Sequence, residues 1–165
     1  ETSLPGVYAI GDAIGGMMLA HAASAQGLTV VHAIAGEEAP LCLDAIPACV
    51  YVSPEIACVG LTQADCQQRG IEAKVGKALM GANGRTLIAN GQRGFIKVVA
   101  DAQDGRVLGA QLMCERATDM IDSFTVAIAN GLTAAQLMRA VRPHPTFLEA
   151  VGEALDALEG RAIHS

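Results

Sequence analysis

The apolar positions of the first 35 residues predict a short strand followed by one long helix. Residues 7–10 form the predicted strand and residues 17–35 the predicted helix, with a glycine-containing loop between them. Gly36 and Pro40 then interrupt the pattern, and both residue types commonly end helices. We therefore expect a first, incomplete domain in this part of the chain.

The pattern changes after this break. With the boundary between residues 40 and 41, residues 1–40 form the first predicted domain and residues 41–165 the second. In the second domain, the predicted strands are residues 48–52, 57–60, 72–80, 95–100 and 106–113, and the predicted helices are residues 62–69, 116–129, a short one from 132, and 146–158. A run of strands followed by helices favours an α+β fold, with helices packed on an antiparallel sheet, over alternating βαβ units.

The helix predicted at residues 116–129 carries an apolar stripe at helical spacing. Its members are Ala117, Met120, Ile121, Phe124 and Ile128. We expect this stripe and the last helix to form a contact between two copies of the chain.

Composition narrows the function classes. The 165 residues are 52% hydrophobic and 17% charged, which favours a packed core over disorder. The formal net charge of −6 and the five Phe and Tyr residues disfavour nucleic acid as a partner. Residues 13–36 lack charged side chains, but their glycines and polar residues favour a buried helix over a membrane span. We therefore expect no membrane partner.

Cysteine and histidine spacing argues against disulfide and metal chemistry. The five cysteines include no C-x-x-C pair, and an odd number favours a reduced compartment, so the expected location is cytoplasmic. Most of them are expected to be small core residues. The four histidines and the cysteines do not have the spacing of zinc ligands, so no metal site is predicted. A metal-binding Cys/His protein is kept as a further hypothesis.

The segment around His144 is the first candidate for chemistry. Pro145 follows the histidine, which restricts its backbone, and we expect a cis bond between them. Thr146 and Glu149 have the spacing of a capping box at a helix start. The same Glu149 could also bind one imidazole nitrogen of His144 and leave the other as a base. Both interpretations can hold together.

The second candidate segment lies near the start of the chain. Asp12 follows the predicted strand, where a carboxylate can accept hydrogen bonds from ligand hydroxyls. The residues Met18, Leu19, Ala20 and His21 open the following helix, whose first amides can stabilise partial negative charge. An acid beside a core helix is the simpler interpretation of the same spacing. No glycine-rich dinucleotide fingerprint is present.

Together these segments resemble the C-terminal part of the pyridine nucleotide–disulfide oxidoreductases, and especially the members that oxidise dihydrolipoamide. Residues 2–12 resemble the family's second flavin-contact motif, and residues 46–60 the opening of its dimerisation domain. Residues 106–110 are similar to a central strand of that domain, and residues 144–149 resemble the catalytic signature. The likeness covers essentially the whole chain, in the same order. Leu148 departs from the pattern, as does the approach through Arg142 and Pro143.

The resemblance implies a role for each matching residue. Asp12 would bind the ribityl chain of FAD, and Met18 to His21 would place helix-start amides near the flavin. His144 would act as acid and base for the dithiol substrate, with Glu149 orienting it. The reaction would oxidise a dihydrolipoyl group with NAD+. The implied partners are a second copy of the chain and the lipoyl-bearing subunit of a 2-oxoacid dehydrogenase or glycine cleavage complex.

In that family the redox disulfide, the first flavin fingerprint and the nicotinamide domain precede the part that this chain resembles. We therefore expect a C-terminal fragment that by itself binds neither FAD nor NAD and is inactive. Two alternatives stay open: the same part of a glutathione-reductase-like disulfide reductase, and a dimerisation module without catalysis.

Overall fold

The computed structural model describes residues 1–91 and 93–164 and divides the chain into two compact units. The first unit is Glu1–Ile46 and the second begins at Pro47. The assignment of residues 1–40 to the end of a flavin-binding domain stays a prediction.

The longest element of the first unit is one helix, α1 (Ala20–Ala35). A 3₁₀ turn, Gly11–Ile14, precedes it and contacts its middle, since the amide of Gly11 donates to Oε1 of Gln26 at 2.7 Å. Gly36 ends α1 in the left-handed conformation, with φ of 72°, as glycines commonly do at helix ends. The helix therefore begins three residues later than predicted and ends where predicted.

Two expectations for the first unit differ from the structure. Residues 7–10 pair with no strand among the described residues, although Ile10 is extended. A strand needs a neighbour for its backbone groups, and sequence pattern alone does not supply one. Helix α1 was expected to be buried, yet Leu28, Val31 and Ile34 are between 55% and 67% exposed.

The second unit is built on a five-stranded antiparallel sheet. Its strands are β1 (Ala48–Val50), β2 (Ile56–Gly60), β3 (Ala73–Leu79), β4 (Phe95–Asp101) and β5 (Val107–Met113), in the order β1-β2-β5-β4-β3. Its helices are α2 (Gln63–Gln68), α3 (Gly84–Ile88), α4 (Ala117–Met120), α5 (Asp122–Ala129), α6 (Ala134–Met138) and α7 (Glu149–Ala157). The predicted α+β class with an antiparallel sheet is confirmed.

One face of the sheet is covered by helices and holds the core. Helices α4, α5 and α7 pack on this face, and the largest fully buried side chains include Phe124, Met80, Ile96 and Leu112. Helix α7 approaches β3 closely at Gly76, where a Cβ atom would lie 2.0 Å from the carbonyl oxygen of Ala154. A glycine at this position therefore allows α7, which carries Glu149, to lie directly on the sheet.

The opposite face carries an apolar row across all five strands. The pairing register aligns one residue from each strand: Val50, Ile56, Met113, Phe95 and Leu79. Val50, Ile56 and Leu79 are 40–52% exposed, whereas their neighbours Ala57 and Ala78 are buried. The alternation follows from the two-residue period of a strand.

The predicted contact stripe belongs to the chain's own core, which corrects the expectation of an interface there. Ala117, Met120, Ile121 and Phe124 are all at most 5% exposed and pack in the core cluster. The last helix, α7, buries its apolar side chains in the same cluster. A helical stripe indicates that a surface covers it, but it does not say whether that surface is in the same chain.

Two of the five cysteines meet the expectation of small core residues. Cys66 and Cys114 are buried, Cys49 is half-buried, and Cys42 and Cys58 are exposed. Burial raises the pKa of the Cys114 thiol to about 12, so this thiol stays protonated and unreactive at neutral pH. Among the described residues, no helix has the length and apolar character needed to cross a bilayer.

Candidate active site

The loop before α7 brings His144 and Glu149 into contact. Nδ1 of His144 lies 2.8 Å from Oε1 of Glu149, and the His144–Pro145 peptide bond is cis, as expected. The other carboxylate oxygen, Oε2, accepts the amide of Thr146 at 2.9 Å. One carboxylate thus binds the imidazole and the backbone of the same loop.

The expected capping box is only half formed. The carboxylate of Glu149 does bind the amide of Thr146, but the Thr146 hydroxyl donates to the carbonyl oxygen of Pro143 at 2.7 Å. Helix α7 begins at Glu149, and its N-cap residue Leu148 makes no side-chain capping hydrogen bond. The threonine therefore closes the loop that holds His144 and does not cap the helix.

Hydrogen bonding holds Glu149 in its charged form. The amide of Thr146, followed by the imidazole of His144, keeps the pKa of the Glu149 carboxyl below its usual value. An ionised carboxylate at Nδ1 favours a proton on that nitrogen and leaves Nε2 with its lone pair. The His144 side chain is 78% exposed, so a ligand can reach it.

Two further residues, Asn83 and Arg142, hold this loop. The sequence pattern did not indicate this role for Asn83. Asn83 is buried, and its side-chain amide donates to the carbonyl oxygen of Thr146 at 3.0 Å while its oxygen accepts the amide of Thr86. The sequence pattern of residues 82–85 predicts a turn, but in the structure Asn83 is the N-cap of α3. Arg142, part of the departure from the family pattern, donates to the carbonyl oxygens of Ala140 and Leu137.

A cavity of about 320 Å³ opens beside His144. Its lining includes the end of β3, the turn before α3, the start of α7 and the C-terminal segment: Ala78, Leu79, Ala82, Asn83, Gly84, His144, Glu149, Ala150, Glu153 and His164. The cavity combines apolar walls with two imidazoles and two carboxylates. Such a site can hold an apolar ligand and exchange a proton with it.

The first unit holds the remaining predicted site residues. Asp12 lies in the 3₁₀ turn and is exposed, and Met18 and Leu19 directly precede α1. Ala20 and His21 are its first residues, and the N-cap residue Leu19 makes no side-chain capping hydrogen bond. An exposed carboxylate and the positive end of a helix fit the hydroxyl groups and electron-rich atoms of a flavin. A role in cofactor binding stays a prediction for these five residues.

Fold and site together define the class of protein. Residues 46–155 match the family described as pyridine nucleotide-disulphide oxidoreductase, dimerisation domain. The chain therefore belongs to the pyridine nucleotide–disulphide oxidoreductases, and its second unit contains their dimerisation domain. The family and the homologues support a homodimer.

The similar curated proteins are dihydrolipoyl dehydrogenases. Dihydrolipoyl dehydrogenase 2 of Haloarcula marismortui is 40% identical over 165 residues, and the dihydrolipoyl dehydrogenase of Bacillus subtilis is 41% identical over 164 residues. These matches cover 99–100% of this chain but only 35% of each relative. The chain thus spans about a third of the length of the curated relatives it matches.

Solved structures of related disulfide oxidoreductases have the same fold as this chain. LpdA from Mycobacterium tuberculosis has a TM-score of 0.85 at 28% identity, covering 92% of this chain and 33% of that one. The flavoprotein disulfide reductase RclA from Escherichia coli has a TM-score of 0.80 at 25% identity, covering 90% of this chain and 35% of that one. The dimerisation-domain fold expected from the sequence is confirmed.

Proposed function

We propose that this chain acts as the C-terminal third of a dihydrolipoyl dehydrogenase, which oxidises a protein-bound dihydrolipoyl group with NAD+. The observation that carries the proposal is the 2.8 Å contact between His144 and Glu149 beside an open cavity. The 40% identity to dihydrolipoyl dehydrogenases supports the choice of substrate class. The lipoyl-bearing subunit of a 2-oxoacid dehydrogenase or glycine cleavage complex is the proposed partner, and the cytoplasm the proposed location.

In this proposal His144 is the acid/base residue and Glu149 its positioning residue. Nε2 of His144 accepts the proton of a substrate thiol, because a thiolate attacks a disulfide and a thiol does not. Glu149 keeps the proton of the neutral imidazole on Nδ1 and stabilises the imidazolium that forms. Asn83 and Arg142 keep the loop in place during this transfer.

The first unit would contribute to the cofactor site. Asp12 would accept a hydrogen bond from a ribityl hydroxyl, and Met18 to His21 would place the start of a helix near electron-rich flavin atoms. When bound, FAD and NAD+ supply the electron acceptors that the dithiol oxidation requires. We expect that the 165-residue chain alone binds neither and shows no NAD+-dependent oxidation of dihydrolipoamide.

The experiment that tests the proposal uses a full-length enzyme. It is a chimera in which this chain replaces the matching segment of the Bacillus subtilis relative. His144→Gln should lower the rate of dihydrolipoamide oxidation by roughly 10²–10⁴, the usual contribution of general acid–base catalysis. Flavin content and circular dichroism of each variant check that it is folded. Glutathione disulfide with NADPH, assayed beside dihydrolipoamide with NAD+, tests the glutathione-reductase-like alternative.

His32→Gln is the matched control, because Nδ1 of His32 also contacts a carboxylate, that of Glu37 at 3.0 Å, but lies in the first unit. Its rate should stay within about twofold of the parent. A folded, flavin-loaded His144→Gln chimera with an unchanged rate would favour a dimerisation module without catalysis.

A further inference from the structure

A second histidine–carboxylate pair borders the same cavity. Nδ1 of His164 lies 3.1 Å from Oε1 of Glu153, while Oε2 of Glu153 accepts the amides of Ile163 at 2.9 Å and His164 at 3.0 Å. Glu153 follows Glu149 by four residues in α7, so the two carboxylates lie one turn apart on one face. Three contacts to one carboxylate thus fasten the C-terminal segment, residues 161–164, to α7.

The negative charge of Glu153 strengthens its hydrogen bonds with the C-terminal segment. Partial burial alone would raise its pKa, but the hydrogen bonds from the His164 imidazole and the two amides outweigh that effect and lower it. The carboxylate is therefore ionised at neutral pH, where its hydrogen bonds are charge-assisted. The Glu153 side chain is 24% exposed and that of His164 is 62% exposed, so the imidazole stays accessible to a ligand.

The cavity between the two histidines has a chemistry that matches a dihydrolipoyl arm. Ala78, Leu79 and Ala82 give it apolar walls, and His144 and His164 are its two imidazoles. A dihydrolipoyl amide is a hydrocarbon chain with two thiols near one end and an amide at the other. Nε2 of His144 can meet a thiol. Nδ1 of His164 also contacts a carboxylate, so its Nε2 keeps a lone pair and can accept a hydrogen bond from the amide N–H of the arm.

Building on the proposed function, we propose that His164 is a specificity-determining residue that binds the amide end of the dihydrolipoyl arm, and that Glu153 is the positioning residue holding the C-terminal segment for this purpose. The structural part, the attachment of the C-terminal segment through Glu153, concerns the chain alone. The binding part, the contact of His164 with the dihydrolipoyl arm, requires the full-length enzyme.

The structural part is tested by hydrogen exchange of the Ile163 and His164 amides in the 165-residue chain. Glu153→Ala removes the acceptor of both amides while keeping a good helix former in α7, and exchange should accelerate about tenfold or more. Glu159→Ala is the matched control, because the carboxylate of Glu159 accepts a hydrogen bond from Lys74, whereas the Ile163 and His164 amides donate to Glu153. Glu153→Gln, which keeps one acceptor oxygen, should restore part of the protection. Equal exchange in the parent and Glu153→Ala would overturn the attachment.

The binding part is tested by kinetics of the chimera with dihydrolipoamide and with dihydrolipoate, which has a carboxylate in place of the amide. His164→Ala and Glu153→Ala should raise KM for dihydrolipoamide about two- to tenfold, the effect of one hydrogen bond, with kcat within twofold. The ratio of kcat/KM between the two substrates should also change. An unchanged KM and ratio, or a fall in kcat alone, would overturn the role of His164.

These outcomes separate the inference from the proposed function. If His144→Gln lowers kcat and His164→Ala changes nothing, the proposed function stands and the specificity role fails. If His144→Gln is also without effect, the proposed function fails and the specificity role fails with it. Hydrogen exchange still decides the attachment through Glu153 in either case.

Discussion

The two units differ in how much of their apolar surface they bury themselves. In the first unit, whose residues are all described, only Gly11, Ala22 and Ala45 are buried. Among the described residues of the second unit, nineteen buried ones form a cluster between the sheet and the helices. The second unit thus has a core of its own, whereas the first exposes the apolar residues of its long helix.

The difference also extends to the candidate sites. His144 and Glu149 lie on a loop and a helix that are attached to the core, since α7 packs on β3 and Asn83 binds the loop. Asp12 and the start of α1 are exposed on a unit with little burial. We therefore expect the contact between His144 and Glu149 to form in the chain alone, whereas the proposed flavin contacts of the first unit need further protein surface around them.

The largest difference in stability is expected when one apolar side chain is truncated in each unit. Phe124→Ala removes a fully buried ring from the second unit and should cost about 3–5 kcal/mol of unfolding free energy. Leu28→Ala, at a side chain that is 55% exposed in the first unit, should cost less than about 1 kcal/mol. Urea unfolding followed by circular dichroism measures both. Equal losses would contradict the difference in burial.

A smaller effect is expected at the contact between α7 and the sheet. Gly76→Ala places a methyl group 2.0 Å from the carbonyl oxygen of Ala154, so α7 must shift, at about 1–3 kcal/mol. Gly81→Ala is the matched control, because a Cβ there meets nothing within 4 Å. Thermal unfolding of both variants measures the cost. If the two behave alike, α7 is not packed as closely as described.

The smallest expected effect is on the pH dependence of stability. The hydroxyl of Thr118, and then its amide, lower the pKa of the Glu55 carboxyl in the second unit. A lowered folded-state pKa contributes stability above the unfolded value of about 4.3, and this is lost as pH falls through the folded value. Glu55→Gln should therefore weaken the decline in stability between about pH 5 and pH 3.

Glu38→Gln in the first unit is the control for this measurement, since no hydrogen bond of its carboxylate is found among the described residues. Unfolding by urea at a series of pH values gives both curves. A Glu55→Gln curve as steep as the parent curve would show that Thr118 does not hold this carboxylate.

Local features of the second unit could be predicted from the sequence because neighbouring residues determine them. Thr62 caps α2 with a capping box, as its spacing with Asp65 allows, and Gly70 follows that helix in the left-handed conformation. Asp104 and Gly105 turn the chain between β4 and β5. The contact between His144 and Glu149 also joins residues only five apart.

Features that depend on distant partners could not be predicted in this way. Asn83 binds Thr146 across 63 residues, and no neighbouring residue in the sequence indicates this contact. Helical spacing does not say what covers the apolar stripe that includes Phe124, and in the structure the chain's own core covers it. The second pair, Glu153 and His164, requires the C-terminal segment to fold back onto α7.

The most direct test asks whether the chain alone holds His144 with its proton on Nδ1, donated to the ionised Glu149, and with Nε2 left as the proposed base. Nitrogen-15 chemical shifts of the imidazole, measured at about pH 9 where an ordinary histidine is neutral, report the tautomer directly. We expect the Nδ1–H tautomer for His144 in the 165-residue chain, and a shift in the tautomer population in Glu149→Gln. A predominantly Nε2–H tautomer, equal in the parent and in Glu149→Gln, would contradict this expectation.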